Sequence, residues 1–242
     1  MTERAVYTAL IIIFSLGLSM DAQEKAPFSR GDYYVAQIHL ESFFNKENFK
    51  DLNYAYIEGS AYTNEDYQKA LLIYKGKKFG EFPVKYNAFL DQMETPNEKG
   101  GIGALLKTNE LSVKLNDEHY QVLNFKDRSG DVEQAYFIEK VIGDDCSLFQ
   151  RKYKTLKEGE EAKTSFHQGS PTKFIDHSAY YIKFGDNTLQ KVKLKKSKVL
   201  GVFPNHIDKL KVFAKERKLD VSSENGLKQL VIYYNTLDKT SS

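Results

Sequence analysis

Residues able to do chemistry are few and scattered in this 242-residue chain. The five histidines are His39, His119, His167, His177 and His206. None is paired at i, i+2 or i+4, and no histidine–glutamate motif marks a helical zinc site. His167 and His177 flank one polar loop that would let them meet in space. The lone cysteine, Cys146, follows Asp144 and Asp145, whose negative charge would raise a thiol pKa rather than activate the sulfur. It reads as a buried residue in a turn entering a strand. No Gly-x-Ser-x-Gly elbow and no Walker phosphate loop is present. Gly100-Gly101-Ile102-Gly103 lacks the strand-to-helix framework that phosphate cradles need, and reads as a hairpin tip. A carboxylate pair for glycoside hydrolysis depends on a spatial separation that linear order does not express. No catalytic, metal-binding or cofactor-binding residue is assigned, and no cofactor is expected.

Composition narrows the partner classes. With 35 basic and 33 acidic residues the net charge is +2, too balanced to predict a nucleic-acid or membrane-surface binder. The densest basic run, Lys191, Lys193, Lys195, Lys196 and Lys198, contains no aromatic residue and reads as a solvated face, with an anionic glycan or lipid headgroup as its alternative. Arg30-Gly31-Asp32 spells an integrin-recognition tripeptide that occurs often by chance. One cysteine excludes a disulfide-stapled scaffold. Sixteen Tyr and sixteen Phe, without any Trp, supply the large apolar surfaces of a globular core.

The first 22 residues read as an address. Ala9–Leu18 is the one sustained apolar run; at about ten residues it is half of the roughly 20 needed to span a bilayer. Arg4 precedes it and small or polar residues follow, the layout of a secretory signal peptide cleaved after Ala22. No cysteine stands at the cleavage site for lipid attachment, and no integral membrane span is expected.

The elements that must position any site follow from hydrophobic period. Residues 23–54 form a lead-in, 55–194 an antiparallel β domain, and 195–242 a set of C-terminal helices covering the sheet. Phe82, Val84 and Tyr86 alternate with polar neighbours, as do Leu111, Val113 and Leu115. Further strands are expected through 71–74, 120–125, 134–141, 147–153, 179–184 and 188–194. Turn clusters at Lys75-Gly76-Lys77, Asn116-Asp117-Glu118, 127–131 and Gly185-Asp186-Asn187 separate them. Pro83 marks an edge strand or a bulge. Residues 94–103 and 156–171 read as long surface loops. Lys195–Val202 is a short helix; Asn205 caps a second and Ser222 or Ser223 a third, whose Leu227, Leu230, Val231, Tyr234 and Leu237 form one stripe. The fold class is α+β: an antiparallel β-meander, open or barrel-like, with a helical segment packed on it.

Several segments carry a resemblance. Gly59-Ser60-Ala61-Tyr62-Thr63-Asn64 is followed by Tyr74-Lys75-Gly76-Lys77, then by Pro83-Val84-Lys85-Tyr86-Asn87, Asp91-Gln92-Met93-Glu94 and a closing Tyr233-Tyr234-Asn235. The pattern resembles a family of uncharacterised exported proteins of Gram-negative bacteria, and implies export without implying a catalytic residue. Tyr62, Tyr86, Asn87 and Asp91 are its candidate ligand-binding residues. Read physically, Gly59 and Asn64 suit turns, Tyr86 points inward beside Val84, and Asn87 and Asp91 suit hydrogen bonds to backbone where the strand bends.

The expected function is a non-enzymatic, exported envelope protein, in the periplasm or at the outer membrane or secreted. It would bind a protein partner or an apolar or glycan ligand through an aromatic-rich sheet. A hydrolase with dispersed acidic residues and a self-associating structural protein are the alternatives. Mass spectrometry of the exported protein is expected to find Gln23 as the first residue; an N-terminus at Met1 would remove the export reading.

Overall fold

A computed structural model describes residues 54, 57–96, 101–127, 129–160 and 169–237. The leader, the Arg30-Gly31-Asp32 tripeptide, His39 and His167 lie outside the described residues. Among the described residues, ten antiparallel strands build one open sheet. They are β1 (Gln68–Tyr74), β2 (Lys77–Asn87), β3 (Gln92–Pro96), β4 (Ile102–Ala104) and β5 (Leu111–Leu115), followed by β6 (Glu118–Lys126), β7 (Val132–Val141), β8 (Cys146–Lys157), β9 (Lys173–Phe184) and β10 (Gln190–Val192). Their spatial order is β10-β9-β8-β7-β6-β5-β1-β2-β3-β4.

Local chemistry sets the turns. Lys75 and Gly76 both take positive φ, 50° and 74°, the mirror-image two-residue turn whose twist matches the strands it joins. Asn116 is left-handed between β5 and β6. Asp127 closes the β6–β7 turn by accepting the Gly130 and Asp131 N–H groups at 2.8 and 2.9 Å. Pro83 lies where β2 has only β1 beside it, since pairing with β3 begins at Lys85, so its missing N–H breaks no ladder.

Three expectations need correction. Residues 94–103 are not one loop: Glu94–Pro96 completes β3 and Ile102–Ala104 is β4. Their polarity misleads because Glu94 and Thr95 are buried, with the Glu94 carboxylate satisfied by side-chain donors. The loop expected at 156–171 starts two residues late and is narrowed from within, because β8 runs to Lys157 and Glu160 bridges Ser170 before β9 begins at Lys173. This outer half of the hairpin is largely polar, which hides it from a hydrophobicity pattern. Asn205 does not cap a helix; His206 holds that position with φ 60° and no side-chain bond.

The helices are α1 (Lys196–Val199), continued by a 3-10 turn at Leu200–Val202, then α2 (Ile207–Glu216) and α3 (Glu224–Leu237). Ser223 caps α3, its Oγ accepting the Gly226 N–H at 3.0 Å. Every residue of the expected α3 stripe is buried. Residues directly opposite in adjacent strands share a face, so Ile138 of β7, Gln150 of β8 and Tyr180 of β9 point to the same side. That face holds two cores. One is enclosed by β1–β7 around Tyr86, Tyr120 and Tyr136; the other lies between β8–β10 and the helices, around Leu148, Ile182, Leu230 and Tyr234. Phe125, Phe137, Phe149 and Tyr181 pack on the opposite face.

Asn235 joins the helices to the sheet. Its Oδ1 accepts the Asp145 and Cys146 N–H groups at 3.2 and 2.9 Å, and its Nδ2 donates to the Cys146 carbonyl at 2.8 Å. A side chain at Gly143 would collide with it. Cys146 beneath is fully buried, and burial first, then Asp145, pushes its thiol up to about 12. Asn235→Ala is expected to cost about 2–3 kcal/mol in urea unfolding by orphaning these groups. Asn235→Asp, keeping the acceptor and losing the donor, should fall between.

Candidate functional site

The candidate residues of β2 and its turn meet where the sheet comes apart. The β7–β8 ladder continues to Ile138 opposite Gln150; two residues on, on the same face, Tyr136 would stand opposite Lys152 in that register. They are not paired. The tip of the β2–β3 hairpin stands between them instead. Tyr136 donates its N–H to Asp91 Oδ1 at 3.2 Å, Tyr86 donates its hydroxyl to the same oxygen at 2.7 Å, and the Lys152 carbonyl lies 3.1 Å from that hydroxyl. One residue pair further, the Lys154 N–H donates to the Ala88 carbonyl at 2.9 Å. The Tyr136 and Lys154 N–H groups freed by the splayed strands are thus re-satisfied by the hairpin tip. Lys107 neutralises Asp91 from the other side, Nζ to Oδ2 at 2.7 Å.

Tyr62 and Asn87 form the second half of this corner. Asn87 Oδ1 accepts the Phe89 and Leu90 N–H groups, which fixes the turn, while Nδ2 donates to Glu94 Oε1 at 2.8 Å. Tyr62 donates to the other Glu94 oxygen at 2.9 Å. The segment carrying Tyr62 crosses as a strap. Glu58 bridges Lys173 of β9, the Ala61 carbonyl accepts from Ala88 and Phe89, and Thr63 donates its N–H to Tyr86. Lys85 Nζ lies 3.8 Å from the Tyr62 ring centroid. Burial first and then the neighbouring carboxylates, Glu94 and Asp91, push the Tyr62 and Tyr86 phenols upward, so both act as neutral donors. The structure brings all four candidates together, with Tyr86, Asn87 and Asp91 buried and Tyr62 half-buried.

A cleft of about 420 Å³ opens beside this wedge. Thr63 and Ala88 form one wall, and Gln150, Lys152, Lys154, Asp176 and Ser178 line the sheet side. Gln150 is 6% exposed. Its Nε2 donates to Ser178 Oγ at 2.7 Å and lies 3.3 Å from the Tyr180 hydroxyl, while its Oε1 has no hydrogen-bond partner. The amide orientation follows from its neighbours. Tyr180 spends its one proton on Glu224 Oε2 at 2.6 Å, so its oxygen accepts from Gln150. Burial opposes the charge on Glu224, yet the Tyr180 hydroxyl and Lys140 hold its carboxyl below the usual range. Both cleft lysines are paired, Lys152 with Glu118 at 2.5 Å and Lys154 with Asp176 at 2.9 Å. Sequence reasoning missed these residues. The one legible signal was Gln150 itself, a polar residue at an inward position of the alternation Cys146, Leu148, Gln150.

A second constellation stands on the outer face of β5–β7. His119 Nδ1 lies 2.7 Å from Glu139 Oε2, and Nε2 lies 3.0 Å from Ser112 Oγ. A carboxylate only accepts, which puts the ring proton on Nδ1 and leaves Nε2 to accept from Ser112. The order is that of nucleophile, base and orienting acid. β5 is paired on both sides over its whole length, however, so its amides are committed and supply no oxyanion donor at Ser112. Among the described residues no group of three His, Cys, Asp or Glu could hold a metal ion.

Removing the Asp91 carboxylate would orphan the Tyr136 N–H and the Lys107 ammonium together. Asp91→Ala is therefore expected to destabilise by about 3–5 kcal/mol in chemical unfolding, and Lys107→Met, which leaves the buried Asp91 charge without its cation but still bonded to Tyr86 and Tyr136, by a smaller but clear amount. Equal small effects would mean that the hairpin tip does not hold the splayed strands. Comparison with protein-family models, with curated proteins and with solved structures finds no match.

Proposed function

We propose that this chain is a non-enzymatic, exported envelope protein that binds a hydroxyl-rich ligand, such as the end of a glycan, in the cleft between the strap and the β8–β9 hairpin. One observation carries the reading: Gln150 presents a buried, unpartnered amide oxygen on a cleft-lining residue. An unmet buried acceptor costs about 1–3 kcal/mol. A ligand hydroxyl would supply the missing donor, and Ser178 and Thr63 add hydroxyl partners alongside. A polar ligand fits better than an apolar one, because the cleft lining is mostly polar, with Tyr153 stacked on His177 as its one aromatic pair. Export rests on the expectation for residues 1–22, and the kinship with exported Gram-negative proteins on the resemblance of the quoted segments.

The hydrolase reading is kept for one reason, the Ser112–His119–Glu139 order. Two assays separate the readings. On a glycan array, the wild-type chain is expected to retain a subset of glycans. Gln150→Leu and Ser178→Ala should each weaken retention about tenfold. Gln150→Leu should also leave thermal stability unchanged or raised, since it removes an unmet acceptor; a purely structural glutamine would lower it. No retention of any glycan by the wild type would sink the cleft reading. Covalent labelling of Ser112 by a fluorophosphonate would put the hydrolase in its place.

A further inference from the structure

Near neutrality conceals a strong segregation of charge. The 29 residues 190–218, spanning β10, α1 and α2, hold ten Lys or Arg and two acidic residues, a net +8, while the other 213 carry −6. All ten basic residues are exposed. Eight of them, from Lys195 to Lys218, stand on or next to α1 and α2, whereas Lys191 lies on β10 on the other side of the sheet. The apolar sides of α1, the 3-10 turn and α2 are turned into the core through Val199, Phe203 and Leu210. The 3-10 turn that continues α1 packs against α2, which keeps the two helices in one region of the fold. On the outer side of α2, Val212 is 55% exposed, three residues from Lys209 and three from Lys215. Ile232 of α3 is 52% exposed, and the stacked rings of Phe213 and Tyr233, 4.0 Å apart, tie the two helices together.

We infer that this lysine-rich helical layer docks peripherally on an anionic lipid bilayer. Charge complementarity selects a polyanion, and the residue types select the lipid. Nine of the ten cations are Lys, point charges without the planar fork that suits bidentate recognition of bases and phosphates. No fully exposed aromatic ring stands among them to stack on a base, whereas isolated aliphatic side chains amid lysines suit shallow insertion between headgroups. The inference does not rest on the cleft, which is built from β8, β9 and the strap.

The test is co-sedimentation of the purified chain with vesicles of phosphatidylcholine containing about one third phosphatidylglycerol, and with phosphatidylcholine alone. Binding is expected on the anionic vesicles, falling steeply as salt shortens the screening length, and not on phosphatidylcholine. The triple variant Lys209→Gln, Lys211→Gln, Lys215→Gln should lose about 100-fold, from roughly fivefold per lysine. Neutralising Lys77, Lys114 and Lys126 on the sheet should lose much less. Unchanged binding by the α2 triple variant would overturn the inference. So would equal binding to phosphatidylcholine, or tighter capture of a short DNA duplex than of the anionic vesicles.

Discussion

The architecture depends on how two strands that part company keep their backbone groups bonded. Beyond Ile138 and Gln150 the β7–β8 ladder stops, and buried N–H and C=O groups on both sides need new partners. Asp91 and Ala88 provide acceptors for the Tyr136 and Lys154 N–H groups, and Tyr86 holds Asp91 in place, all from a hairpin that belongs to the far side of the sheet order. That insertion lets one sheet cover two separate cores on the same face. It also places the hairpin tip and the strap beside β8 and β9, and it leaves the cleft at the junction. Loss of the wedge would remove the wall of the cleft along with the hydrogen bonds.

Tyrosine serves here as both core filler and anchor. Tyr62, Tyr74, Tyr86, Tyr120 and Tyr180 each donate to a carboxylate, from Glu94, Glu110, Asp91, Glu118 and Glu224 respectively. A phenol buries a large apolar ring and brings one directional donor, so each pair fixes a carboxylate in place without spending a lysine. Where a cation is added, as with Lys107 on Asp91 and Lys140 on Glu224, the carboxylate becomes a node linking separate elements. A bulge in β7 at Lys140 brings that lysine to the first turn of α3. This network stands where Trp and disulfides are absent from the sequence.

Legibility in the sequence tracked hydrophobic period and turn chemistry. Strict alternation revealed β5 and the inner half of β2, Lys75-Gly76 marked its hairpin, and the α3 stripe was readable residue by residue. The fold class, an antiparallel sheet followed by helices, follows from those signals; that the sheet is open and not barrel-like is seen in the strand order alone. β3, β4 and the outer ends of β8 and β9 escaped, because a buried glutamate and a polar hairpin carry no apolar pattern. The motif around Tyr86, Asn87 and Asp91 was visible as a set of hydrogen-bonding residues at a bend. That Asp91 reaches the Tyr136 N–H, 45 residues away, was not.

What the amino-acid order determined by itself was the type and inward face of the elements with a regular apolar period, such as β5, the inner half of β2 and α3, since these depend on neighbours two to four residues away. Tertiary structure alone decided that β7 and β8 separate, that the β2–β3 tip fills the gap, and that Gln150 meets Thr63 and Ser178 at one cleft. The physical reason is that hydrogen bonds and charges act through space. A ladder's end, a buried acceptor and a lysine-rich layer are each assembled from segments whose separation in sequence says nothing about their distance in the fold.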